Sequence, residues 1–280
     1  ETGTAQSMYE ISQYVSVNAA GTANLLDIVA NKRTTIKKII LASSRAVYGE
    51  GKYFCKEHGE IYPTGRNEEL MRAGDFAIRC PQCGRALKIL ATDEATPANP
   101  VSVYALTKHL QEQLLLLAQK ATSIPSVVLR FQNVYGPGQS LKNPYTGILS
   151  IFSTMIKNSR DIEIYEDGEE CRDFVYVDDV VSACYSALLK PEAGGQILNV
   201  GSGVPSSVIY IAEKLIQLYG VQVNANISSR FRVGDIRGNF ADMSKTSKIL
   251  GFEPKFAIEQ GLELFAAWVN SQVIPKQLYE

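Results

Sequence analysis

Tyr104 and Lys108 stand four residues apart in Tyr104-Ala-Leu-Thr-Lys108, a spacing that puts both on one face of a helix. An ammonium beside a phenol favours the phenolate and lowers a pKa that is ordinarily about 10. A phenolate formed near neutrality is a general base for a sugar or alcohol hydroxyl. Upstream, the apolar run Ile39-Ile-Leu-Ala ends on Ser43 and Ser44, two hydroxyls at the close of a strand. A Tyr and a Lys four apart also arise by accident in a chain of this size, so the surrounding segments carry the weight.

Those segments must place the pair at the end of a sheet. Residues 9 to 31 and 102 to 121 carry apolar residues at helical spacing, whereas Lys38 to Ser43, Ser126 to Phe131 and Gln196 to Val200 are apolar runs of strand length. Further helices are expected at 145 to 158, 178 to 190, 206 to 220 and 257 to 270. Strands alternating with helices predict an α/β fold, a parallel sheet covered on both faces. The pattern divides into 1–135, the sheet-forming part, and 136–280, mainly a smaller lobe interleaved with the sheet after Gly136. The sequence shows no internal repeat and no low-complexity tract.

The chain is long enough to bury a full core, at 280 residues of which 45% are hydrophobic. A net charge of −1 gives no electrostatic footprint for nucleic acid or an anionic membrane. No apolar run approaches the roughly 18 residues of a membrane span, and the N-terminus has no basic region leading into an apolar one. The expectation is a soluble, cytoplasmic protein with no nucleic-acid or membrane partner. Leu114 to Leu117 run four apolar residues together, more than one core-facing stripe needs, and predict a homodimer built on the 9–31 and 102–121 helices.

A second constellation lies between Tyr48-Gly-Glu-Gly51 and Thr92, in an insertion spanning about residues 50–92, far longer than an ordinary connection. It holds Cys55-Lys-Glu-His58 and Cys80-Pro-Gln-Cys83-Gly. Two such pairs give the ligand spacing of a structural tetrahedral zinc, with Cys55, His58, Cys80 and Cys83 as ligands in a zinc-ribbon-like clip. Disulfides or free thiols are the alternatives, and disulfides would leave His58 idle. Cys171 and Cys184 read as unpaired, buried small apolar residues. The insertion mixes acids with bases and shows no basic stripe, so a structural clip forming a lid or wall over the pocket beside the Ser43-Ser44 strand end is expected.

The order of motifs resembles the extended short-chain dehydrogenase/reductase family, the nucleotide-sugar epimerases and dehydratases. Asn18-Ala-Ala-Gly-Thr-Ala-Asn-Leu-Leu26, the Ser43-Ser44 strand end, Tyr104 to Lys108, Arg130-Phe-Gln-Asn-Val-Tyr-Gly-Pro137, Arg172-Asp-Phe-Val-Tyr-Val-Asp-Asp179, Asn199-Val-Gly-Ser-Gly203 and Arg232-Val-Gly-Asp235 follow in family order. The resemblance implies a doubly wound, Rossmann-like sheet, a C-terminal substrate lobe, and NAD as a tightly held relay. Tyr104 would be the acid/base, tuned by Lys108, with Ser44 on the reacting oxygen. Asn18, Ser43, Tyr104, Lys108 and Gln132 would face the cofactor. Ser44, Asn133, Arg172, Arg232 and Asp235 would hold a nucleotide diphosphate sugar, the arginines through bidentate phosphate contacts.

Two departures from the family pattern matter. The family opens with a Gly-x-x-Gly-x-x-Gly turn and a ribose-binding acid, and these residues contain neither. On the order of 70 to 80 residues of the expected sheet are missing, and a sequence that continues upstream is the expected explanation. Dehydratases of the family carry an Asp-Glu pair after the Ser, where this chain has Arg45 and Ala46. Neither can do acid/base work, so the resemblance implies 4-epimerisation through a transient 4-keto sugar. A reductase or dehydratase of the same fold, or a non-catalytic nucleotide-sugar binder, are the alternatives. Arg45 also departs from the small residues usual in galactose epimerases. The opening stretch and the cysteine-bearing insertion resemble most the family's bacterial dTDP-L-rhamnose 4-epimerases.

Overall fold

A computed structural model describes residues 1–32, 35–143, 145, 147–232 and 234–276. Three parallel strands, Ile39–Ser44, Ser126–Phe131 and Ile197–Val200, pair in that order. The middle strand is buried on both faces. Val127 and Leu129 pack with Val180, Ala183 and Ala187 of the Val177–Leu189 helix, while Val128 turns the other way onto Leu26 and Leu115. This alternation is the period of two a strand imposes, and it explains four successive apolar or small residues, Ser126 to Leu129, with helices on either side.

The third strand comes from beyond residue 136, so the two halves of the chain interleave. The remainder of the second half builds its own core around Cys171–Tyr176, a strand flanked by Asn133–Tyr135, Pro205–Ser207 and Gly238–Asn239. Phe174 and Tyr176 pack there with Leu149, Phe152, Ile211, Leu215, Leu262 and Phe265. This central strand and the Ser244–Leu250 helix were not among the expected elements. The strand alternates weakly because its charged members, Arg172 and Asp173, find partners inside the protein.

Most expected helices appear within a few residues. The Val103–Thr122 helix starts at Ser102, whose hydroxyl accepts from the Ala105 N–H at 3.1 Å, a side-chain cap on an otherwise orphan donor. The helix expected from 145 begins at Ile148 instead, behind the extended Gly147; residue 146 lies outside the described residues. The 9–31 pattern is not one regular helix, since π-helical Val15–Ala20 separates Ile11–Tyr14 from Gly21–Asn31. The wide turn directs both Asn18 and Ala19 inward, and Asn18 donates to Thr107 at 3.1 Å on the neighbouring helix.

The insertion forms a small antiparallel sheet of Gly59–Ile61, Tyr53–Cys55 and Lys88–Ile89, with a short Glu68–Arg72 helix. It is moored to the second half of the chain. Tyr53 donates to the Gly238 carbonyl at 3.1 Å, and Arg66 grips Glu166. Cys171 and Cys184 are free and half-buried rather than fully buried. Among the described residues no helix is long and apolar enough to cross a membrane.

Candidate active site

The end of the Ile39–Ser44 strand and the first turn of the Val103–Thr122 helix meet at a cleft of about 360 Å³. Its walls include Ser43, Ser44, Arg45, Tyr104, Gln132 and Asn133, so residues distant in sequence converge where parallel strands end. The Tyr104 backbone N–H donates to Ser7 at 3.0 Å, which with the Ser102 cap fixes the helix start. The Tyr104 ring rests edge-on against buried Tyr14, centroids 6.4 Å apart. Ser44 accepts from the Ala46 N–H at 3.2 Å, which leaves its own proton free to be donated.

Lys108 is one turn beyond Tyr104 and does not line the cleft. Burial pulls its ammonium down to about 8, against the opposing attraction of Glu112. Glu112 is fully buried and anchors the floor: Arg130 donates to both its oxygens at 3.0 and 2.7 Å, and Ser43 donates at 2.5 Å. The Ser43 hydroxyl is thus committed to the floor, although the residue borders the cleft. Glu112 was not a candidate from sequence, yet its position four residues after Lys108 on the same helical face was a usable signal.

The other expected site residues are distributed around this centre. Asn18 is buried with both ends of its amide engaged, by the Glu1 nitrogen at 2.7 Å and by the Glu1 carbonyl and Thr107, each at 3.1 Å. Gln132 donates weakly to Asn239 at 3.4 Å while its carbonyl oxygen is buried without a partner. Arg172 and Asp235 line a smaller crevice of about 40 Å³ that shares Thr4, Arg45 and Ala46 with the main cleft. Arg172 spends its terminal nitrogens on the carbonyls of Cys171, Ile236 and Arg237. Arg232 is exposed and lies over the Tyr165 ring at 4.8 Å; its neighbour Val233 lies outside the described residues.

Gln139 and Tyr145 also line the cleft and were missed, since only the turn after Gly136 brings them back to it. Asp173 is buried and accepts from the N–H groups of Ser202, Gly203 and Ala241 at 2.7, 3.0 and 3.1 Å. A side chain at Gly201 would collide with that carboxylate at 2.4 Å, which accounts for the glycine in Asn199-Val-Gly. No described insertion residue lines the main cleft. The insertion instead walls a separate cavity of about 220 Å³ through Thr64, Gly65, Arg66 and Met71, facing Asp235 and Ile236, so the lid or wall expected over the main pocket stands beside it, at a neighbouring cavity.

Within the insertion, Cys55, His58, Cys80 and Cys83 come together. The His58 Nδ1 is 3.5 Å from both Cys55 and Cys80 Sγ, and Cys55 and Cys83 Sγ are 3.7 Å apart.

A parallel sheet with helices on both faces and a Ser, Tyr and nearby Lys at its strand ends defines a Rossmann-like α/β protein. The model of the NAD dependent epimerase/dehydratase family matches residues 81–201. A dTDP-L-rhamnose 4-epimerase of Burkholderia thailandensis is 36% identical over 98% of this chain and 74% of its own length. Among solved structures, UDP-glucose 4-epimerase of Thermotoga maritima with UDP-glucose superposes with a TM-score of 0.77 at 26% identity, covering 97% of this chain and 75% of that one. MoeE5 in complex with UDP-glucuronic acid and NAD follows at 0.74 and 25% identity, covering 95% and 75%. The chain belongs to the NAD-dependent epimerase/dehydratase family.

Proposed function

We propose that the protein interconverts the C4 epimers of a nucleotide diphosphate sugar with NAD as bound cofactor. The observation that carries this reading is the meeting of Ser44 and Tyr104 in one cleft with Asn133 and with Ser43, which donates to the buried Glu112 of the Glu112–Arg130 pair. The residues fit the nicotinamide end of the cofactor. Lys108 makes no hydrogen bond among the described residues, and Gln132 presents an orphaned carbonyl oxygen. When bound, NAD supplies the acceptor and donor of a hydride at the sugar carbon.

Tyr104 takes the C4 hydroxyl proton as that carbon is oxidised to the ketone. It returns the proton after the 4-keto sugar has turned over, so the oxygen ends on the opposite side of the ring. Ser44 donates to the reacting oxygen throughout and holds it at Tyr104. The lack of a carboxylate at positions 45 and 46 favours epimerisation over water loss. The Burkholderia relative supports dTDP-L-rhamnose as the substrate type. Asn133, Arg172, Arg232 and Asp235 serve the nucleotide diphosphate, and residues 136–280 form mainly the substrate lobe.

Tyr104→Phe tests the reading. It should lower turnover by about 10²- to 10⁴-fold with an unchanged far-ultraviolet dichroism spectrum. Unaltered turnover, or release of a 4-keto-6-deoxy sugar, would overturn it.

The same proposal extends to the insertion as a closed zinc clip. Tetrahedral bonds of about 2.3 Å to sulfur and 2.0–2.1 Å to nitrogen require ligand separations of about 3.8 Å for S···S and about 3.5 Å for S···N. The distances of 3.7 and 3.5 Å support that geometry, and the metal would supply folding free energy to a segment with few apolar contacts. Pairing of two copies through the 11–31 and 103–122 helices completes the proposal. Exposed Ile11, Leu25, Ile28, Leu106, Leu110 and Leu117 support it.

A further inference from the structure

Arg45 stands where two clefts join. It borders the 360 Å³ cleft beside Ser44 and Tyr104 and also the small crevice that holds Arg172 and Asp235. Among the described lining residues of the larger cleft it alone carries a charge. Its backbone is set by the turn Arg45–Tyr48, which Ser44 caps by accepting from Ala46. The side chain is half-buried and makes no hydrogen bond or ion pair among the described residues.

No carboxylate is paired with Arg45 among the described residues. Burial, then the neighbouring charge of Arg172, pulls Arg45 down to about 10, and Asp235, Tyr104 and Glu50 only partly offset this. Arg172 has turned its terminal donors to backbone carbonyls, whereas those of Arg45 are free. A neutral ligand would leave this buried guanidinium without a charged partner. A phosphate offers both the charge and a pair of oxygens matched to the guanidinium fork.

The position decides which anion. A nucleotide diphosphate sugar carries its phosphates between sugar and nucleoside, and Arg45 lies between the sugar-sized cleft and the crevice with Arg172 and Asp235. We propose that Arg45 binds the phosphate to which the substrate's sugar is attached, and so fixes how far the sugar advances toward Tyr104 and Ser44. This rests on the nucleotide-sugar reading given above.

Titration calorimetry on the NAD-loaded full chain tests it, with UDP, dTDP, UMP and dTMP as probes. Arg45→Ala should weaken the diphosphates by on the order of 10- to 100-fold and the monophosphates by less than about threefold, with Arg45→Lys recovering part of the loss. KM for the diphosphate sugar should rise while the pH profile of kcat keeps its shape. Arg45→Gln, of similar bulk, repeats the measurement if the alanine variant melts early. Unchanged diphosphate affinity with intact wild-type binding overturns this inference alone. So does a loss seen only with a hexuronate-bearing substrate, which would assign Arg45 to a sugar carboxylate, or a shifted kcat profile at unchanged affinity, which would assign it to Tyr104. Failure of the wild-type chain to bind any of the four nucleotides overturns the nucleotide-sugar reading and this inference with it.

Discussion

Arg66 and Glu166 form a two-pronged buried ion pair, with Nη1–Oε2 and Nη2–Oε1 distances of 2.6 and 2.7 Å and both side chains nearly inaccessible to water. Arg66 belongs to the insertion, and Glu166 belongs to the loop after the Ile162–Ile164 strand. Arg66 also donates to the Asp235 carbonyl at 2.8 Å, while Glu166 accepts from Arg237 at 3.3 Å. The pair therefore ties the insertion to the chain beside the Arg172 crevice. Removing Arg66 leaves the buried Glu166 with only its longer contact to Arg237, which is worse than removing both partners.

Arg66→Ala should accordingly destabilise the protein by about 3–5 kcal/mol in denaturant unfolding. Limited proteolysis should then cut within residues 50–92 before the rest of the chain. A loss below about 1 kcal/mol, the range of an exposed pair, would show that the tether is dispensable.

Elemental analysis of protein purified without chelator should find about one zinc per chain, bound by Cys55, His58, Cys80 and Cys83 with no ligand position left for substrate. Cys80→Ser should loosen the insertion and raise its protease sensitivity while the parallel sheet, whose core lies elsewhere, survives. A zinc content of only a few tenths per chain or less, or a disulfide from Cys55 to Cys80, would contradict the clip.

Glu170 makes stability depend on pH. Burial pushes its carboxyl up to about 7 from an ordinary 4.5, and its Oε2 is buried without a partner. The folded state therefore holds a proton that the unfolded state releases between these values. Stability from this group is full below about pH 4.5 and is lost as the pH rises through about 7. Glu170→Gln should remove that dependence and raise the melting temperature at pH 8 relative to wild type. An equal melting difference at pH 5 and pH 8 would refute the assignment.

The exposed apolar face of the first helical segment and the Val103–Thr122 helix yields a prediction about assembly. Light scattering at micromolar concentration should give a dimer mass, and Leu110→Glu combined with Ile28→Glu should give monomers that retain the fold. Both residues are between two-fifths and one-half exposed, so the substitutions place no charge in the core. A wild-type monomer mass would count against the interface.

Periodicity along the chain determined the three parallel strands and most of the helices, while the order of motifs, through the family resemblance, implied the convergence of Ser44, Tyr104 and Asn133. Such patterns reflect which face of each element must leave water, and that requirement is written locally in the side chains. The Cys55, His58, Cys80 and Cys83 grouping was legible for the same reason, because each pair sits within one turn. The tertiary structure alone decided which polar groups are spent and which are free. The proton of Ser43 goes to Glu112, the amide of Asn18 to Thr107 and Glu1, and the terminal nitrogens of Arg172 to backbone carbonyls of its own strand and of 236–237, while Arg45 is left unpaired between two clefts. A buried polar group must be satisfied by whatever packing brings within about 3 Å. That partner is set by how distant segments stack, which no local pattern contains.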